Sequence, residues 1–267
     1  MTYISELKNL KGRRAIITGA SGGLGLVIAE TLAELGSDLI LVDRPNSDLS
    51  KIEKHITEVW DVNVNNYECD LELEKDRIQL GEEIIEENRE LNCLINCAAF
   101  TGDNNLQGWS EKFEDQSIDT WRRALEVTLA ATFHLCLIFT PSLQASVGGN
   151  ILNITSIYGR YGPDWNLYEG TKMGNPAAYA ASKGGLNQLT RWLSSTLAPN
   201  IRVNAIAPGG IFRNQEKNFV ERYNSKTPMN RMATEDDFRG AVAFLASDMS
   251  SYVTGQILYV DGGWGVW

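Results

Sequence analysis

The segment Arg13–Thr18 (RRAIIT) runs directly into Thr18-Gly19-Ala20-Ser21-Gly22-Gly23-Leu24-Gly25 and then into a helical pattern over Gly23–Gly36. An apolar strand, a glycine turn and a helix in that order constrain the fold more than any other feature of the chain. The glycines permit a tight turn and a close approach of backbone to a pyrophosphate. The helix that follows offers free N–H groups and its positive dipole end. The alternation continues along the chain. Strands are expected at Asp38–Asp43, Val64–Cys69, Leu91–Asn96, Asn150–Thr155, Ile201–Ala205 and Gln256–Val260. Helical patterns fall between them around Asp48–Trp60, Leu73–Arg89, Ile118–Ser146 (interrupted late by Pro141), Ala177–Leu197 and Thr234–Ser247. Strands joined through helices of about ten or more residues require crossovers, so the expected architecture is α/β, a doubly wound parallel sheet with helices on both faces.

No linker, repeat or low-complexity stretch divides the chain, which reads as a single domain over 1–267. Two long loops, 157–176 and 210–233, follow strands. In open α/β sheets that position borders a ligand crevice, so both are candidate substrate loops. The chain carries 24 Lys+Arg against 34 Asp+Glu, a net charge of −10, which argues against nucleic-acid binding. No run of about 18 apolar residues appears and the first residues lack an apolar signal region, so neither a membrane span nor secretion is expected. Cys69, Cys93, Cys97 and Cys136 form no CxxC pair and read as free thiols in a reducing, cytoplasmic setting. His55 and His134 stand alone, which excludes a zinc hydrolase or a His-based triad and leaves no metal site.

The chemistry concentrates at four places. Asp43 ends the second strand, 24 residues after Gly19. A carboxylate there accepts hydrogen bonds from an adenosine ribose and repels a 2′-phosphate, which favours NAD. Arg44 beside it keeps NADP as the alternative. Tyr179 and Lys183 lie at i and i+4 on one helix face. A neighbouring ammonium lowers a phenol pKa towards working pH, so that the phenol can exchange a proton with a carbonyl or alcohol oxygen. Taken alone, such a pair is more often an ordinary surface contact. Ser156 changes the balance, because it follows the fifth strand at the edge where a cofactor would lie.

These motifs resemble the single-domain short-chain dehydrogenase/reductase family, with a Rossmann-type sheet. The resemblance spans essentially the whole chain: Thr18–Gly25, Asp43, Asp70-Leu71, Asn96-Cys97-Ala98-Ala99, Ser156, Tyr179–Lys183, Pro208-Gly209 and the C-terminal VDGG, in the family's order. It implies catalytic roles for Ser156, Tyr179 and Lys183. Tyr179 would be the general acid/base, Lys183 would bind the nicotinamide ribose and lower the Tyr179 pKa, and Ser156 would hold the substrate oxygen. It implies a cofactor-binding set of Gly19, Ser21, Gly23, Leu24, Gly25, Asp43, Arg44, Asp70, Leu71, Asn96, Ala98, Pro208, Gly209 and Ile211, together with Tyr179 and Lys183. It also implies a homo-oligomer, tetramer or dimer, with helices 118–146 and 177–197 at one interface; the Trp264/Trp267 tail serves equally as a second anchor or as a segment folded back onto its own subunit.

Three departures from the family pattern stand out. The strand exit reads NCAA where NNAG is usual. Thr128 stands where the family places an Asn that supports a proton relay, and its single hydroxyl offers less hydrogen bonding than an amide. The gap from Ser156 to Tyr179 is long, and its insertion carries Tyr158, Tyr161, Trp165 and Tyr168. These aromatics serve equally as a substrate wall, suited to a sugar, or as packing. The 210–233 loop reads as a mobile lid. It holds Arg213, Lys217, Arg222, Lys226 and Arg231 against Glu216 and Glu221, which suits either a phosphorylated substrate or a solvated amphipathic helix. The insertion, PGGIF and VDGGWGVW are similar to a narrower branch, the flagellin-modification protein A-type oxidoreductases of surface-sugar biosynthesis.

The expected activity is therefore an NAD(H)-dependent interconversion of a secondary alcohol and a ketone on a small molecule, a sugar or a phosphorylated or nucleotide-linked sugar. The rival is a catalytically weak NAD(P)-binding sensor or assembly subunit of the same fold, encouraged by Thr128. A sugar-nucleotide epimerase is disfavoured because little chain remains after VDGG for a substrate domain.

Overall fold

A computed structural model describes residues 2–101 and 106–267 of the chain. After a short helix α1 (Ile4–Leu7), strands and helices alternate as β1 (Arg14–Thr18), α2 (Gly23–Glu34), β2 (Asp38–Asp43), α3 (Leu49–Val59), β3 (Val64–Glu68), α4 (Glu74–Glu86) and β4 (Cys93–Asn96). The second half runs α5 (Ile118–Leu125), α6 (Ala131–Ala145), β5 (Gly149–Ile154), α7 (Ala177–Leu197), β6 (Ile201–Pro208), α8 (Lys217–Lys226), α9 (Arg239–Ala246) and β7 (Ile257–Val260). The strands form one seven-stranded sheet in the order β3-β2-β1-β4-β5-β6-β7, and every pairing is parallel. The chain winds outward from β1 to β3 and then returns to β4. That reversal opens a crevice beyond the carboxyl ends of β1 and β4.

The two-residue period of the strands decides which helices cover which face. Ala15 and Ile17 of β1, Leu39 and Leu41 of β2 and Cys93 and Ile95 of β4 pack under α2 and α9. The intervening Ile16, Ile40, Val42 and Leu94 pack under α4, α6 and α7 on the other face. Helix α6 meets that face through Ala131, Leu135, Phe139 and Leu143, each separated by four residues. Its outer side leaves Phe133 and Leu137 exposed, and Trp192 of α7 is exposed as well.

Three expectations change at this level. The single helix expected over Ile118–Ser146 is broken at Glu126–Ala130 by a five-residue π-helical segment that joins α5 to α6. Pro141 does not interrupt it; α6 runs through to Ala145. The N–H that proline lacks would have met the Leu137 carbonyl, on the helix side where solvent is at hand. The joined stretch Ile118–Ala145 does reach the length and apolarity of a bilayer span, contrary to the sequence reading; one face of it, from Ala131 to Leu143, packs against the sheet.

A third apolar cluster lies off the sheet. Ile157 and Leu167 of the first long loop, Phe219 and Tyr223 of α8, Met232 and Trp264 are buried together. The 210–233 segment is thus no featureless lid. Its residues Lys217–Lys226 form a helix, and Phe219 and Tyr223, at i and i+4, dock one face of that helix.

Candidate active site

A cleft of about 1100 Å³ runs along the carboxyl edge of the sheet. It is lined by Gly19, Ser21, Gly23, Leu24, Gly25, Asp43, Arg44, Asp70, Leu71, Ala98, Ser156, Tyr179, Lys183, Pro208, Gly209 and Ile211. One residue of the expected set, Asn96, does not line it. Asn96 is buried beneath the turn, where its Nδ2 donates to Asn153 Oδ1 at 2.9 Å. Asn153 Nδ2 in turn donates to Thr190 Oγ1 at 2.9 Å. The residue ties β4 and β5 to α7, the helix that carries Tyr179 and Lys183.

The glycine turn is shaped for close backbone approach. Gly19 has φ +69°, and a β-carbon there would stand 2.8 Å from Ala98 Cα. A β-carbon on Gly25 would lie 2.0 Å from the Gly19 carbonyl oxygen. Helix α2 follows Gly22 as its N-cap, with no side-chain cap and no acidic residue of its own first turn. Its opening N–H groups face the cleft unclaimed by the helix. Asp43 reaches back to this turn: its Oδ2 accepts from Ser21 N at 2.8 Å and Ser21 Oγ at 2.7 Å. Thr18 Oγ1 accepts from Cys97 N and Ala98 N, both at 3.2 Å, and so joins the turn to the exit of β4.

Ser156, Tyr179 and Lys183 converge at the floor of the cleft. Lys183 is buried, and its Nζ donates to the Ile154 carbonyl at 2.7 Å and stands 5.8 Å from the Tyr179 ring centroid. Burial holds the Lys183 ammonium down at about 8. Burial likewise raises the Tyr179 phenol above its ordinary value, and the Ser156 hydroxyl pulls it partly back. In the chain by itself burial outweighs any lowering of the Tyr179 phenol by the Lys183 ammonium, which is held by the Ile154 carbonyl.

Thr128 occupies the π segment and is buried. Its Oγ1 accepts from Phe100 N at 3.1 Å, so it fixes the chain beyond the NCAA turn. Of the four aromatics of the insertion, two line the cleft and two do not. Tyr158 and Tyr168 line the cleft and share a hydroxyl–hydroxyl bond of 2.7 Å. Tyr161 packs on Trp264 and donates to the Gly265 carbonyl at 2.8 Å, while Trp165 is exposed. Trp264 folds back into its own chain, and Trp267 is exposed.

Every lid cation is matched. Arg213 pairs with Glu235, Lys217 with Glu221, Lys226 with Asp164 and Arg231 with Asp237. Arg222 donates to the carbonyls of Asn166 and Glu169. Of the two readings of the lid, this pairing favours the solvated amphipathic helix over a phosphate-attracting surface. Phe219, Tyr223 and Met232 also line the cleft and were not singled out as site residues from sequence. Their signal was the Phe219/Tyr223 spacing.

The cysteines are free, and none of the described residues forms a His/Cys/Asp/Glu cluster fit for a metal. Burial pushes Cys69, Cys93 and Cys136 up to about 12 and Cys97 to about 11, against 9 for an open thiol. Above pH 9 the unfolded chain therefore binds fewer protons than the folded one, and stability falls as pH rises. Lys183, lowered from 10.5 to about 8, works in the opposite sense between those values. Four thiols outweigh one ammonium. The thermal midpoint is expected to fall from pH 9 to pH 11, and a flat or rising profile would contradict the burial of these groups.

The family model described as enoyl-(acyl carrier protein) reductase matches residues 19–265. The chain is 31% identical to the 7alpha-hydroxysteroid dehydrogenase of Escherichia coli K12, with 98% of this chain and 97% of that protein covered. It is 27% identical to the post-translational flagellin modification protein A of Campylobacter coli, covering 96% and 100%. The gluconate 5-dehydrogenase of Burkholderia cenocepacia J2315, solved with NADP and tartrate, superposes with a TM-score of 0.87 at 25% identity over 99% and 100% of the two chains.

Proposed function

Because the chain belongs to the short-chain dehydrogenase/reductase family, an NAD(P)-dependent oxidoreductase family acting on alcohols and ketones, we propose that it interconverts a secondary alcohol and a ketone on an uncharged, sugar-like substrate with NAD(H). The observation that carries this reading is the convergence of Ser156, Tyr179 and Lys183 in a cleft continuous with the glycine turn. The residues fit a dinucleotide. The Gly19–Ala98 approach leaves backbone bare for a pyrophosphate, and the uncapped start of α2 lacks an anion of its own helix. When bound, the cofactor supplies or accepts the hydride.

The chain's own residues handle the oxygen. The Ser156 hydroxyl orients the substrate oxygen beside the Tyr179 phenol. Tyr179 gives its proton to that oxygen during reduction and takes it back during oxidation. Lys183, charged below about pH 8, favours the phenolate that forms. Beyond these groups the cleft is bounded by Tyr158, Tyr168, Met173, Phe219 and Met232, and also by Arg213, which is paired with Glu235. Aromatic faces with polar tips suit a ring that presents C–H groups on one face and hydroxyls at its rim. Four of the five lid cations, Lys217, Arg222, Lys226 and Arg231, do not line the cleft, which supports an unphosphorylated substrate over a phosphorylated one.

Asp43 underlies the NAD preference. NADH is expected to bind at least about tenfold more tightly than NADPH, because a 2′-phosphate beside that carboxylate is repelled. Asp43→Ala is expected to erase the difference. Fluorescence titration with both dinucleotides measures it, and a wild-type preference for NADPH would reverse the assignment. A panel of polyols and sugars, followed at 340 nm, then tests the substrate class.

A second reading, a dinucleotide-binding chain with little turnover, is favoured by Thr128, whose hydroxyl is committed to Phe100 N. Brisk turnover of any alcohol in that panel removes it. Self-association belongs to the main proposal and is supported by the exposed Phe133, Leu137 and Trp192 on α6 and α7. Sedimentation velocity reads it directly.

A further inference from the structure

Arg213 is the one of the five lid cations that lines the cleft. It lies 22 residues from its partner Glu235, and backbone brings the two together. Ile211 bridges Ala233, Phe212 N donates to the Ala233 carbonyl at 2.8 Å and Ala233 N to the Gly210 carbonyl at 2.9 Å. Arg213 Nε then donates to Glu235 Oε1 at 3.0 Å. The pair sits over the start of α2. A β-carbon on Gly23 would stand 2.8 Å from Glu235 Oε1 and 3.5 Å from Arg213 Nη2. Helix α2 supplies no acid to its own first turn, so the carboxylate beside its N-terminus comes from Glu235, on a distant segment.

We infer that Arg213 pairs with the dinucleotide pyrophosphate, and that Glu235 is a built-in competitor which holds Arg213 and the helix N-terminus until the pyrophosphate displaces it. The inference rests on the reading of this cleft as a dinucleotide site. The physical reason is charge. Helix N-termini favour anions, and a guanidinium matches either a carboxylate or a phosphate through paired N–H donors. Two anions cannot share the position without repulsion. The pyrophosphate, carrying more charge than one carboxylate, takes Arg213 over. Because Ile211–Phe212 and Ala233 are stitched together, exchange of partners at Arg213 also reports to both ends of the 210–233 segment.

The test is a binding titration with two probes, NADH and ADP-ribose. The second carries the pyrophosphate but no nicotinamide. Glu235→Gln is expected to tighten both about tenfold. Arg213→Gln is expected to weaken both by tenfold or more, since it removes the cation and leaves Glu235 unpaired beside the phosphates. The double variant is expected to return to near the wild-type affinity. A residue pair that merely braces the fold gives losses in both single variants and no recovery in the double. Weakening by Glu235→Gln, or an unchanged Arg213→Gln, overturns the inference while wild-type binding stands. Failure of the wild type to bind either probe overturns the dinucleotide reading itself. Thermal melts of each variant confirm that folded protein is being titrated.

Discussion

Tyr179→Phe is expected to bind NADH as the wild type does and to lose about 10²–10⁴ of its turnover. The substitution removes a single hydroxyl from a side chain that is half-buried and already packed beside Trp109 and Ala178. The ring stays in place, and the cleft keeps its shape. What disappears is the atom that exchanges a proton with the substrate oxygen. The loss should appear in kcat and in kcat/KM alike, because the interaction matters in the transition state and contributes little to ground-state binding. Steady-state kinetics with a turned-over alcohol, beside a fluorescence titration, separates the two. Activity within a few-fold of wild type would remove Tyr179 from the mechanism. Lost NADH binding would show instead that the phenol is a cofactor ligand first.

Gly25→Ala is expected to cost about 2–3 kcal/mol of stability and most of the NADH affinity together. Its β-carbon would stand 2.0 Å from the Gly19 carbonyl oxygen and 2.9 Å from Ala20 Cα, both backbone atoms. No rotamer relieves such a clash; the turn itself must move. The turn is pinned on its far side, where Ser21 meets Asp43, so movement breaks that contact as well. For a chain of this size the loss corresponds to a fall of roughly 4–12 °C in Tm. Gly240→Ala is the matched control. It is a helix glycine whose β-carbon would meet nothing within 4 Å, and it is expected to leave Tm unchanged or slightly higher. A Gly25→Ala protein that melts and binds like wild type would show that the turn is more yielding than its geometry implies.

The sheet was legible in the sequence because six of its strands are short apolar runs with a glycine, proline or polar boundary, β3 (VNNYE) at the sheet edge being the weak one, and all seven strands stand within two or three residues of the expected limits. The cleft was legible where motifs sit at strand ends. What escaped detection depends on partners far away in the chain. Asn96 looks like a residue at the mouth of the site, yet its amide turns inward to Asn153, 57 residues on. The lid seemed cationic because only Glu216 and Glu221 lie within it. Asp164, Glu235 and Asp237, which neutralise it, lie outside. A local charge count cannot see them. The π segment at Glu126–Ala130 adds one residue to a helical turn without any glycine or proline to announce it.

The apolar cluster around Trp264 has a consequence for how such a chain changes over time. Ile157, Leu167, Phe219, Tyr223, Met232 and Trp264 form a small core of their own, separate from the two that clamp the sheet. On the proposed function, the substrate half of the cleft is built from this satellite core and the dinucleotide half from the ends of the strands. Mutations that reshape one therefore draw on a different reserve of packing from those that would weaken the other. The molecule can trade one ligand for another by rewriting two loops and a tail, while the platform beneath them keeps its register.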